Sequence, residues 1–294
     1  PYYLDEFNTD GRWDGAFVYT TNQVAAVQFF NKTDSGPVPF SNVIDPVYMS
    51  ADEIEGGQSN QMRFGGEMRF LSNGNILVVV EDRNNVAVPF QAAMASIFDG
   101  QTGEPIKGPF NGAGDDSSHS IWSNVAAFNG GFAVRTEGIM TVWDNDGNMQ
   151  YVIDQADWTT VADTGRGDGT RIAASIHGDY VYILGKEGEV GDMVVSRLNA
   201  QTGEADLELV VNELELWDYG TFDRGDLAVD QNGNVCIAYA VSTPGVESQI
   251  VARVLDSDLE PVTPTFFAFQ NHDNVNGDVQ GFLSKEVNVS MDNN

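Results

Sequence analysis

Short apolar runs recur along the chain, separated by polar, glycine-containing gaps. "NILVVVED" (75–82), "GFAVRTEG" (131–138), "DYVYILGK" (179–186), "NVCIAYAV" (234–241) and "AFVYTTNQ" (16–23) are rich in Val, Ile, Phe and Tyr. Their brevity and composition predict strands. Each follows a turn pair: Asn73-Gly74, Asn129-Gly130, His177-Gly178, Asn232-Gly233 and Asp14-Gly15. Glycine supplies the positive φ of a tight hairpin, so every pair predicts a turn between two strands. A third apolar run follows each: "QVAAVQFF", "AAMASIF", "GIMTVW", "MVVSRL" and "QIVARVL". A polar turn comes next ("NKTDSGPV", "DGQTGEPI", "DNDGNMQY", "NAQTGEAD" or "DSDLEPVT"), and then a fourth strand such as "ADLELVV".

The pattern is periodic. Gly15, Gly74, Gly130, Gly178 and Gly233 are 59, 56, 48 and 55 residues apart, and "QTGE" stands at both 101–104 and 201–204. Units of about 50 residues with four short strands predict an all-β chain built as a β-propeller of four-stranded antiparallel blades. In the turn-glycine frame the repeats run 15–73, 74–129, 130–177, 178–232 and 233–294, within a single domain over 1–294. The combination of inner strand, Asn-Gly turn, "VVV", "RVLD" and Gly-Glu-Pro turn resembles propeller repeats of bacterial secreted and cell-surface proteins. That resemblance covers nearly the whole chain and implies a fold, not an activity. If the C-terminal run "EVNVSM" (286–291) completes the first unit, five blades close the ring, and this is the preferred count. If "FNTDGRW" (7–13) is itself an inner strand, the C-terminal run begins a sixth.

The "DNDGN" stretch (144–148) has the alternating oxygen side chains of a calcium loop. It occupies the same slot as "GQTGEP" and "AQTGEA", which have no ligand-rich pattern, and no Glu stands at the twelfth position that an EF-hand loop needs. Asp and Asn suit such a slot because they hydrogen-bond their own backbone. The stretch is read as a turn, with no cofactor expected.

Charge narrows the partners. The chain carries 44 acidic and 14 basic residues, a net charge of -30, with lysines only at 32, 107, 186 and 285. Such a field repels nucleic acid and anionic membranes. It suits salty or extracellular surroundings, marine or halophilic, where ions screen self-repulsion. No apolar run reaches the roughly 20 residues that span a bilayer, so no membrane insertion is expected. Cys236, the only cysteine, rules out an intrachain disulfide and a Cys-based zinc site; its apolar strand predicts a buried, inert thiol.

Candidate chemistry falls in two places. The first is the set of long segments joining one unit's outer strand to the next unit's inner strand. These hold Asp116, His119 and Trp122 in "GAGDDSSHSIW", Trp217 and Arg224 in the segment 212–225, and His272. Aromatic rings beside carboxylates suit sugars, although Trp122 and Trp217 would equally suit packing between blades. The second is the position seven residues before each turn glycine, at the start of the inner strand: Glu67, Ser123, Arg171 and Asp226, with Glu286 equivalent. Arg171 joins the ligand-binding set. Glu67, Asp226 and Glu286 could act as acid and base, as resemblance to five-bladed arabinanase-type glycosidases in blade number alone would imply, or could form a structural ion-pair ring.

With three histidines in the chain, a His-rich metal site is not expected. Three functions are compatible with these features. The first is a secreted or cell-surface binding or scaffolding propeller with a glycan or surface protein as partner. The second is a carbohydrate-active enzyme, a glycoside hydrolase or polysaccharide lyase. The third is a structural component of a filament, virion or S-layer.

Overall fold

The computed structural model describes residues 2–7, 13–21, 24–33, 36–42, 63–82, 92–114, 124–136, 139–154, 171–186, 193–211, 225–241, 249–270 and 289–291. Among the described residues there is no helix, and the strands form five four-stranded antiparallel meanders. The first contains β1 (Tyr2–Phe7), β2 (Trp13–Thr21), β3 (Val24–Thr33) and β4 (Gly36–Pro39). The second contains β5 (Arg63–Phe70), β6 (Ile76–Asp82), β7 (Ala92–Phe98) and β8 (Pro105–Asn111). The third contains β9 (Asn124–Phe128), β10 (Gly131–Thr136), β11 (Ile139–Asp144) and β12 (Met149–Asp154). The fourth contains β13 (Arg171–Ala174), β14 (Tyr180–Lys186), β15 (Met193–Asn199) and β16 (Ala205–Val210). The fifth contains β17 (Gly225–Val229), β18 (Val235–Val241), β19 (Gln249–Leu255) and β20 (Phe266–Gln270).

Two compact units divide the chain, Pro1–Ile153 with the first three sheets and Asp154–Asn294 with the other two. Within each unit the first strands of successive sheets touch: β1 with β5, β5 with β9, and β13 with β17. The all-β architecture of four-stranded blades expected from the repeat is therefore present.

Three details differ from the sequence reading. Gly74, Gly130 and Gly233 have positive φ as the hairpins require, but Gly178 turns the chain without one. Gly15 lies inside β2, opposite Asp5 and Phe30, so Asp14-Gly15 is not a turn. The first sheet has Tyr2–Phe7 as its first strand, a stretch the sequence reading assigned to no strand.

Burial explains the continuous apolar runs. A sheet covered on both faces needs apolar residues at every position, not alternation. Ile76 through Val80 on β6 are at most 1% exposed, and all of β10 is buried. The fourth strands meet water: β16 alternates between exposed and half-buried positions.

In the second to fifth sheets, the turn between the third and the fourth strand is closed by its own first side chain. Asp144 Oδ1 accepts from the amides of Asp146 (3.0 Å) and Asn148 (2.8 Å), while Oδ2 accepts from the side-chain amides of Asn148 and Gln150. Asp256 accepts from the amides of Asp258 and Glu260 in the same way, and Asp99 and Asn199 hold equivalent turns. "DNDGN" is a turn, as its slot predicted. Leu259, with φ 60°, is the only non-glycine residue among those described with a positive φ. A left-handed leucine costs about 1–2 kcal/mol, but Leu259 is 4% exposed in the apolar core of the second unit, and burying leucine stabilises by about 1.5–3 kcal/mol.

These turns also dock on the preceding sheet. Lys107 on β8 donates to Gly147 O (2.7 Å) and Asn148 Oδ1 (3.0 Å). A Cβ on Gly147 would lie 3.0–3.2 Å from Ile97, Lys107 and Phe110, so only glycine lets the turn sit this close. In the second unit, Arg197 on β15 binds Asp206 through Nε (2.9 Å) and Nη2 (2.8 Å), and its Nη1 donates to Ser257 O (2.6 Å) and Asp258 Oδ1 (2.8 Å). Its guanidinium stacks 4.2 Å from the Tyr180 ring centroid. Tyr182 also donates to Ser257 O (3.1 Å), and burial pushes its phenol up to about 12. Trp143 Nε1 donates to Gly112 O (2.9 Å) and Tyr239 donates to Val211 O (3.2 Å), each catching the exit of the preceding fourth strand.

Arg197→Met should lower stability by about 2 kcal/mol through loss of charge-assisted hydrogen bonds, read from the urea midpoint. The hydrogen bond and charge of Arg197 hold the Asp206 carboxyl below its ordinary value of 3.8. A depressed folded-state pKa contributes stability that is present above the unfolded value and lost as pH falls through the folded one. The stability difference between the natural protein and Asp206→Asn should therefore be constant from neutral pH to about pH 4 and shrink in stronger acid.

Candidate functional site

The candidate site is assembled where the first strands begin, after the long connecting segments. A residue at this position of one sheet faces the first strand of the next. In the first unit, Glu67 on β5 accepts from Asn124 Nδ2 at Oε1 (3.1 Å), and from Val125 N (3.0 Å) and Arg69 Nη2 (3.0 Å) at Oε2. Its side chain is 25% exposed and that of Arg69 32%. Three donors on one carboxylate, one of them a neighbouring sheet's backbone amide, tie β5 to β9. Arg135, 1% exposed on β10, stands directly opposite Asn124 in the register. Cross-strand neighbours share a face, so Glu67, Asn124 and Arg135 form one polar patch at the strand ends that adjoin 115–123 and 137–138.

The second unit repeats part of this plan. Asp226 on β17 accepts from Val289 N (2.7 Å) at Oδ2. Half-buried Arg171 opens β13, opposite Leu184. Cys236 on β18 is half-buried, not fully buried as expected; burial and, secondarily, the charge of Asp226 raise its thiol above the ordinary value. His177 is exposed in its hairpin turn.

Of the residues nominated from the sequence, Glu67, Asp226 and Arg171 are thus placed, with Glu67 in one unit and the other two in the second. Glu286, Asp116, His119, Trp122, Trp217, Arg224 and His272 lie outside the described residues. Among the described residues no group of three or more His, Cys, Asp or Glu is arranged to hold a metal ion. Sequence reasoning missed Asn124 and Arg135. Asn124 was legible only as the residue after Ser123 in the repeat frame, and Arg135 was hidden inside an apolar run.

No protein-family model matches the chain, and no curated protein matches it. Solved structures do. The polysaccharide lyase Uly1 is similar with a TM-score of 0.53 and 13% identity, over 87% of this chain and 58% of that one. The PL25 ulvan lyase, also a polysaccharide lyase, has a TM-score of 0.48 and 12% identity, over 88% and 70%. A functionally unknown protein from Desulfotomaculum acetoxidans has a TM-score of 0.48 and 13% identity, over 91% and 75%. The chain thus spans less than two thirds of the length of Uly1. At this identity the likeness is one of fold: all-β and propeller-like.

Glu67→Ala removes the carboxylate that accepts from Asn124 Nδ2 and Val125 N, and should cost about 2 kcal/mol. Amide exchange at Val125 should accelerate, while the amides of β18 in the other unit stay unchanged.

Proposed function

We propose that this protein is a propeller-type binding domain that recognises a polysaccharide through the long segments beyond its first strands. The observation behind this reading is the engagement of Glu67. A carboxylate held by an amide, a side-chain amide and a guanidinium at 3.0–3.1 Å is suited to fastening two strands. A general acid or base needs access to a substrate proton. Asp226 also binds a backbone amide. These contacts favour scaffold roles for two of the three nominated carboxylates and leave recognition to the segments carrying Asp116, His119, Trp122, Trp217, Arg224 and His272, with Arg171 as a further candidate.

Carbohydrate is the ligand class supported by the fold likeness to a polysaccharide lyase together with Trp residues flanked by carboxylates. The acidic composition, with a net charge of -30, supports work outside the cell or on its surface, where salt screens the field.

The same likeness favours a second reading, a polysaccharide lyase or glycoside hydrolase, and one experiment separates the two. The protein is incubated with a panel of uncharged and acidic polysaccharides at several salt concentrations, and both retention and chain length are measured. Retention without shortening is expected, with Trp122→Ala or Trp217→Ala weakening retention by roughly tenfold, as loss of a central aromatic anchor does. Shortening of any polysaccharide that Glu67→Gln or Asp226→Asn abolishes would replace the binding reading with the enzymatic one.

A further inference from the structure

Residues 112–114, where the second sheet ends, have every backbone polar group bonded. Gly112 N donates to Ala93 O (2.7 Å) and Gly114 N to Asn111 O (3.1 Å). The Asn111 side chain accepts from Ala113 N (3.1 Å) and donates to Gly114 O. The two remaining carbonyls are taken by the third sheet: Trp143 Nε1 donates to Gly112 O (2.9 Å) and Thr141 Oγ1 to Ala113 O (2.8 Å). All three residues are buried, as are Thr141 and Trp143. Gly114, at φ 82°, ends the stretch in a conformation that glycine adopts readily.

The second unit treats the corresponding carbonyl alike, with different parts. Val211 N donates to Met193 O (2.8 Å) as Gly112 N does to Ala93 O. The registers Met94↔Asn111 and Val194↔Val210 make Val211 the equivalent of Gly112. Val211 O accepts from Tyr239 (3.2 Å). Trp143 stands on the third strand of its sheet and Tyr239 on the second strand of its own, so neither residue type nor strand is kept. What recurs is a buried donor on the carbonyl that follows the fourth strand. Each such carbonyl lies just ahead of a segment proposed for recognition, 115–123 or 212–224. We propose that Thr141, Trp143 and Tyr239 are positioning residues, which fix the root of each recognition segment on the scaffold so that polysaccharide binding depends on them. The role rests on the polysaccharide-binding reading. Binding groups keep their geometry only when the structure beneath them is held by packing and hydrogen bonds, and a bond to a backbone carbonyl holds the root whatever side chains the segment carries.

Thr141 separates this role from general stability, because its hydroxyl can be removed or kept with little change of shape. Thr141→Val deletes the donor to Ala113 O, and Thr141→Ser keeps it. Two quantities are measured on the full chain: amide exchange, which reads local opening, and retention on the same panel of uncharged and acidic polysaccharides. Thr141→Val is expected to speed exchange at 112–114 while β6 and β10 stay unchanged. Its retention is expected to weaken by about fivefold, the effect of one hydrogen bond. Thr141→Ser is expected to match the natural protein. In the other unit, Tyr239→Phe removes one hydroxyl and is expected to speed exchange at Val211 and weaken retention by a similar factor.

Unchanged retention in Thr141→Val and Tyr239→Phe overturns the proposal. Exchange that quickens throughout β6 and β10 also overturns it, because the contact then serves the sheets and not the segment. A Thr141→Ser variant as weak as Thr141→Val traces the effect to the lost methyl group and overturns it too. Failure of the underlying reading is seen in the natural protein itself, which is then retained by no polysaccharide of the panel, and the positioning role falls with it.

Discussion

Everything in this molecule depends on covering sheets that are apolar on both faces. A strand such as β6, with Ile76 to Val80 at most 1% exposed, has no face that can meet water, so it persists only while a neighbour packs on each side. Within each unit the repeat answers this by making one sheet the cover of the next. Close fit then becomes the controlling requirement, because interiors pack densely and gaps forfeit dispersion contacts.

The fit is set by a few polar clasps at sheet margins. At one end, turns closed by Asp99, Asp144, Asn199 and Asp256 present a rigid backbone, and Lys107 or Arg197 of the preceding sheet grips such a turn in two of the sheet pairs. Trp143 and Tyr239 in turn hold the exit of the preceding fourth strand. Arg197 is the strongest clasp, since its planar fork meets one carboxylate bidentately while its remaining nitrogen reaches the next sheet. Hydrogen bonds of this kind add specificity to a contact whose main driving force is apolar burial.

The same logic bears on function. Carboxylates at the strand starts are attractive as catalytic groups when read along a sequence, because their regular spacing promises convergence. In three dimensions regular spacing also means regular neighbours. Glu67 finds the amide of Val125 and Asp226 that of Val289, so a repeated position has acquired a repeated structural duty. The long connecting segments stand outside the repeat pattern, and segments of that kind on a rigid scaffold are where recognition tends to evolve.

The fold class, the four-strand unit and the turn identity of "DNDGN" were legible from residues alone, since strand length, turn chemistry and periodicity are local properties written in contiguous stretches. Gly15 misled because Asp-Gly signals a turn only by preference, and here the pairing of β1 with β2 carried that dipeptide into a strand. The partners of Glu67 and Asp226, and the clasps of Arg197 and Trp143, were not legible. Each joins positions tens of residues apart across two sheets, and only the packed arrangement brings donor and acceptor within hydrogen-bonding distance. Local pattern determined what each segment becomes; tertiary contact decided which polar groups meet, because that choice depends on distances the chain acquires only when its sheets stack.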